Sequence, residues 1–200
     1  MQTLYSCGIC PDKPCTKGND NYPKNCPTNE EKGLIDVALN EYKTNDVINR
    51  IMNFANSIPI GDDGEFRSRA EEIIELINRM GFKKVGIAFC YSMERKVKKF
   101  IKMFDGLDVE LVPVCCKAGG LEIDRVVDIP KNNKRFIASC NPIAQAEIMN
   151  KADTEINVVV GLCVGHDIVF NKYVNGYVTT LIAKDRKFNH NPIEHFKESN

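Results

Sequence analysis

Four cysteines near the start of the chain, Cys7, Cys10, Cys15 and Cys26, stand in the pattern C-x2-C-x4-C-x10-C within CGICPDKPCTKGNDNYPKNCP. A C-x2-C pair is the usual bite for a tetrahedral ion, and four thiolates complete a closed site. Zinc normally favours two separated pairs, whereas here three cysteines crowd one loop and a fourth stands apart. Pro11 and Pro27 directly follow Cys10 and Cys26, a usage also seen after a cluster ligand in bacterial ferredoxins. Thiolate ligation suits both metals, so the knot is expected to hold an iron–sulfur cluster, with zinc as the alternative.

The other five thiols are Cys90, Cys115, Cys116, Cys140 and Cys163. Each closes a short apolar run: KKVGIAFC (83–90), DVELVPVCC (108–116), KRFIASC (134–140) and EINVVVGLC (155–163). A fifth run, GYVTTLIAKD (176–185), carries no cysteine. Helical patterns separate them, notably SMERKVKKFIKMF and NPIAQAEIMNKA, the latter with Asn141 as cap and Pro142 at its first position. Short apolar strands alternating with helices predict an α/β domain built on an open, mainly parallel sheet of about five strands with helices on both faces. The carboxyl ends of such strands share one edge, where these folds place their binding crevice. Cysteine often only fills a core, but five thiols confined to one rim read better as ligands.

Strand spacing limits how many can act together. A row of four strand ends spans roughly 14 Å at about 4.8 Å per strand. Three or four ligands are therefore expected, with Cys90, Cys140 and Cys163 favoured. Cys115 and Cys116, being adjacent, point apart, so the pair is expected to supply one ligand.

Around Cys163 the chain reads GLCVGHD. Gly161 and Gly165 would let backbone amides approach a cofactor. His166 is a candidate ligand, proton donor or partner to a ligand, and Asp167 suits the start of a helix. The loop KAGGLEIDR after the second run matches neither the dinucleotide fingerprint nor the phosphate-binding P-loop. His190 and His195 read as surface residues of a closing segment.

The N-terminal CGIC…C…CP knot, SCNPIAQA, GLCVGHD and VTTLIAKDR…HNP together resemble a domain-of-unknown-function family of cysteine-rich metal-binding proteins from anaerobic bacteria and archaea. The resemblance implies a cysteine-bound metal and an anaerobic setting, with no defined reaction. The motif cysteines and His166 are the residues it carries over.

Bulk properties set the outer limits. Two hundred residues, 43% of them hydrophobic, suffice for a core without staples. Lys+Arg and Asp+Glu are both 27, and this zero net charge argues against a nucleic-acid partner. No run reaches membrane-span length, and MQTLYSCGIC lacks a secretory pattern, so a cytoplasmic location is expected. Nine cysteines in a reducing compartment point to metal or reactive thiols before disulfides. The organisation expected is 1–28 as a cysteine-rich metal-binding segment, 29–65 as a helical connector packing on the core, and 66–200 as the α/β domain. The function expected is a [4Fe–4S] protein with one or two clusters, in electron transfer or small-molecule redox chemistry, served by a redox partner protein or a small-molecule substrate. The alternatives are a zinc protein for metal sensing, storage or delivery, and thiol chemistry at Cys115 or Cys116.

Overall fold

Gly81 ends a helix in the left-handed region, at φ 73°, and from there the chain enters its first strand. That helix, α4 (Arg69–Met80), is opened by a capping box in which Ser68 accepts from Glu71 N–H and Glu71 accepts from Ser68 N–H. Its buried stripe is Ile73, Ile77 and Met80. The computed structural model describes residues 4–128 and 135–197, and the chain falls into two units, Met1–Ser57 and Ile58–Asn200.

The first unit holds two 3-10 turns, Cys7–Ile9 and Pro14–Thr16, a short helix α1 (Pro27–Glu30) and two longer helices, α2 (Lys32–Thr44) and α3 (Asp46–Ser57). Cys26 is the residue before α1, and Pro27 takes the first helical position, where its missing N–H costs nothing.

The second unit is α/β. Its four strands are β1 (Lys84–Phe89), β2 (Glu110–Cys115), β3 (Ile156–Val160) and β4 (Tyr177–Ile182). They pair in parallel in the order β2-β1-β3-β4. The connections carry α5 (Glu94–Lys102), α6 (Pro142–Lys151) and α7 (Val164–Tyr173). β3 is buried at every position and β1 at its four inner ones, as expected of strands covered on both faces.

Pairing shows which helix lies on which face. Gly86 sits beside Asn157, and a Cβ added at Gly86 would meet Met149 Sδ of α6 at 2.8 Å. The opposite face carries Phe89, Pro113 and Cys115, which line a groove with Val97 and Ile101 of α5. The chain therefore leaves β1 over one face and reaches β3 from the other. β1 and β3 are neighbours, so the crevice of such a sheet opens between their carboxyl ends. β2, with Pro113 inside it, is an edge strand.

One expectation needs correction. The segment 134–140 does not form a strand of this sheet, and Lys134 lies outside the described residues. Ala138 instead makes an isolated antiparallel bridge with Glu122, supported by Ile123 N–H to Ile137 O at 2.9 Å and Ser139 N–H to Leu121 O at 2.8 Å. The reason is where the segment's partner lies. Residues 121–123 come after the end of β2, so residues 137–139, tied to them, already lie beyond the carboxyl edge and do not run up the sheet from the amino edge. The described sheet thus has four strands where the sequence suggested about five.

Candidate functional site

Three strands and one loop bring thiols to the carboxyl edge. Cys90 directly follows β1, Cys116 directly follows β2, and Cys163 precedes α7 three residues beyond β3. Cys140 arrives from the loop just described. Its Sγ lies 3.7 Å from Cys116 Sγ. Cys90 and Cys116 are buried, while Cys140 and Cys163 are half-buried.

Three of these sulfurs each receive a cation. Lys184 Nζ donates to Cys90 Sγ at 3.0 Å and to Ser92 Oγ at 3.0 Å. Lys117 Nζ donates to Cys140 Sγ at 3.3 Å and to Ala138 O at 2.7 Å, and it stands 5.6 Å above the Tyr91 ring. Arg186 donates to Cys163 Sγ at 3.1 Å. Cys116 receives instead the backbone N–H of Tyr91 at 3.5 Å.

The electrostatics separate the thiols. Burial pushes Cys90 up, but the hydrogen bonds of Ser92 and Lys184 outweigh it, and its pKa lies below the ordinary thiol value. Cys116 goes the other way. Burial pushes it up to about 12, with smaller contributions from Cys140 and Cys90. His166 is held below the usual imidazole value by burial first, then by Lys117, Arg186 and Lys184, which puts all three cations within electrostatic reach of one ring. Burial raises the neighbouring Asp167 carboxyl, partly offset by Asn171. His166 and Cys140 also line a cleft of about 250 Å3 with Val126, Val127, Ile143 and Val169.

Cys115 lies elsewhere. It is paired with Phe89 on the α5 face, lining the groove there rather than the crevice. Gly161 has φ 65°, and a Cβ there would meet Met93 Cγ at 2.6 Å, so the loop after β3 packs tightly on buried Met93. Gly165 has open space around it. His195 meets Phe196 edge-on and Phe188 at a tilt. His190 accepts Asp185 N–H on Nδ1 at 3.2 Å, bracing the turn that carries Lys184 and Arg186.

Beneath the thiols lies Gln145, fully buried on α6. Its Nε2 donates to Phe89 O at 3.3 Å and Val114 O at 2.7 Å, clamping the last turns of β1 and β2, while its Oε1 has no partner. Gln145, Ser92, Lys117, Lys184 and Arg186 escape a search for sulfur ligands. The strand-end argument that finds the cysteines would also find Lys117, next to Cys116, and Lys184 and Arg186, just past β4.

In the first unit, Ser6 N–H and Oγ donate to Asn25 O at 3.0 and 3.3 Å, tying the residue before Cys7 to the residue before Cys26. Lys13 N–H donates to Cys10 Sγ at 3.4 Å. Lys13 and Asn25 hold positive φ, 44° and 59°, a conformation costing on the order of 1 kcal/mol each for side-chain-bearing residues. Cys26 is buried, Cys10 half-buried, and Cys7 and Cys15 exposed.

Among the described residues, no three Cys, His, Asp or Glu side chains stand together as a ready-made metal site. The donor chemistry does fit a thiophilic group. At Cys90 the hydrogen bonds of Ser92 and Lys184 favour thiolate, the form that binds metal, whereas burial favours the thiol at Cys116. No helix among the described residues is long and apolar enough to cross a membrane.

The family described as "Protein of unknown function (DUF1847)" matches residues 26–181. The "Uncharacterized protein MJ0455" of Methanocaldococcus jannaschii is 47% identical over 126 residues, 62% of this chain. The chain spans about 64% of that relative's length. No solved structure matches the chain.

Proposed function

The chain belongs to the DUF1847 family, and we propose that it is an iron–sulfur protein with two cysteine-ligated centres, working in electron transfer or small-molecule redox chemistry. One observation carries this reading: four thiols from separate parts of the second unit lie along the carboxyl edge, two of them 3.7 Å apart and three of them under a cation. Thiols that merely fill a core need no ammonium or guanidinium.

Cys90, Cys116, Cys140 and Cys163 would hold the crevice group, and Cys7, Cys10, Cys15 and Cys26 the other. Cys115 serves packing. When bound, such a group supplies one-electron transfer and, with one iron open, a Lewis acid. The chain's own residues do the rest. Tyr91 N–H and the three cations stabilise negative charge on sulfur. His166, kept neutral near pH 7 by burial and those cations, is able to accept a proton at the crevice. The reading places the protein in the interior of an anaerobic cell, with a redox protein or a small molecule as its partner.

A non-redox zinc protein for metal sensing, storage or delivery is the second reading. Its favouring observation is the 3.7 Å between Cys116 and Cys140 sulfurs. With metal–sulfur bonds of about 2.3 Å, two thiolates on one tetrahedral ion lie roughly 3.8 Å apart.

Iron, zinc and acid-labile sulfide per chain, in protein purified without oxygen, decide between them. Iron and sulfide near eight each are expected for two four-iron clusters, a rough count from the four-cysteine pattern. Zinc without sulfide would sink the redox reading.

A further inference from the structure

The crevice carries more positive charge than its thiols require. Among the described residues, Lys117, Lys184 and Arg186 have no carboxylate within ion-pair distance; their partners are sulfurs, Ser92 Oγ, a backbone carbonyl and the face of Tyr91. Four thiolates around a dication leave two negative charges, and three cations exceed them by one. With fewer thiolates engaged the excess grows. An uncompensated positive crevice attracts anions.

A second observation narrows the class. The cleft of about 250 Å3 beside the crevice has Cys140 in one wall, and Lys117 Nζ touches that same sulfur. The remaining lining is mostly apolar, from Val126, Val127, Ile143 and Val169. A bare oxyanion would have no use for such walls, whereas a short hydrocarbon body would.

We infer that the crevice takes a small organic anion, its apolar part in the cleft beside Cys140 and His166 and its charged end at Lys117 and Arg186. This rests on the crevice reading above and gives its small-molecule branch a substrate class. Lys117 and Arg186 are the binding residues, and Lys184, engaged with Cys90 and Ser92, contributes charge from further back.

The test uses full-length protein purified without oxygen, with metal content measured on every sample. Isobutyrate, inorganic phosphate and neutral isobutyramide are titrated at low salt by calorimetry. Saturable isobutyrate binding is expected, with isobutyramide and phosphate at least about tenfold weaker. Lys117→Gln and Arg186→Gln should each weaken isobutyrate binding about tenfold or more, the loss of one charge-assisted hydrogen bond. Lys117→Arg should retain most of it, and Lys83→Gln, at the distant Lys83–Asp108 surface pair, should change nothing.

Phosphate binding as tightly as isobutyrate would overturn the organic-anion assignment. Absence of saturable binding in metal-loaded protein would overturn the site and leave the metal reading intact. Metal lost together with Lys117 or Arg186 would show that the cations serve only the thiolates, again overturning the site. Lys117-dependent isobutyrate binding in protein without metal would uphold the anion site and remove the metal reading.

Discussion

The sulfurs of Cys116 and Cys140 stand 3.7 Å apart, although 24 residues separate them in the chain. A disulfide would need about 2.05 Å, so the two sulfurs are in contact and unbonded. The contact follows from the backbone bond of Asn141 N–H to Cys116 O, which sets the two loops side by side.

Cys116→Ser and Cys140→Ser should therefore each lower the affinity for crevice metal by more than about tenfold, and the double variant should fall little further, since both remove one bite. Cys115→Ser should leave metal content unchanged because its side chain lies on the α5 face. Metal and sulfide analysis of the three single variants checks this. An equal loss in Cys115→Ser would move the site to the other face.

Gln145→Met should cost about 1 kcal/mol of stability, because the Val114 and Phe89 carbonyls lose the amide donor while Phe89 O keeps Cys116 N–H. The Phe89 carbonyl immediately precedes Cys90, so metal affinity should fall as well. Denaturant melts with and without metal separate the two effects. A variant that melts normally yet binds metal poorly would show that Gln145 acts chiefly by holding the strand ends.

The two crevice glycines should behave differently. Gly161→Ala must place a Cβ 2.6 Å from Met93 Cγ at positive φ, which should cost about 1–3 kcal/mol. Gly165→Ala meets nothing within 4 Å and should leave the melting temperature nearly unchanged. Any loss of metal or anion binding in Gly165→Ala would then report a ligand approaching that backbone.

Stripping metal should make residues 4–28 protease-sensitive while the α/β unit stays resistant. The strained Lys13 and Asn25 and the sparse apolar content leave the knot little else to hold it. Limited proteolysis before and after chelation, read by mass spectrometry, measures this. A knot that stays resistant without metal would not be metal-organised.

Acid should weaken the cap of α4. Hydrogen bonds from Ser68, through its side chain and then its backbone, lower the Glu71 carboxyl below its ordinary value. Its folded value being the lower one, the stabilisation is present above the ordinary carboxylate range and is lost as pH falls through the depressed value. Glu71→Gln should flatten that part of the acid limb in a stability-versus-pH series. An unchanged limb would show that the cap contributes nothing to it.

Much of the architecture was readable from local pattern. The runs ending at Cys90, Cys116 and Cys163 became β1, β2 and β3 because each is a short apolar stretch suited to parallel pairing, buried on both faces in β1 and β3 and partly exposed at the edge in β2. Asn141 and Gly81 cap helices as their side chains, or lack of one, dictate. KRFIASC carries the same local pattern and failed, since Phe136 and Ile137 are exposed and the backbone is tied to Leu121 and Ile123. That outcome depends on the pairing of 137–139 with 121–123, a long-range constraint no local pattern holds. The strand-end rule put Cys90, Cys116 and Cys163 at the carboxyl edge, where the fold has them, and put Cys140 there by the wrong route. Lys117, Lys184 and Arg186 went unnoticed because surface lysine and arginine are common, and only the fold shows which sulfurs they face.

Pro113 has a consequence for the protein's behaviour at high concentration. It sits in β2, at the rim of the sheet, and a proline offers no N–H to a guest strand. An intruding chain would find its hydrogen-bond row interrupted midway along a six-residue strand. A rim broken in this way resists edge-to-edge polymerisation along β2, which leaves β4 as the edge of the described sheet with an uninterrupted row.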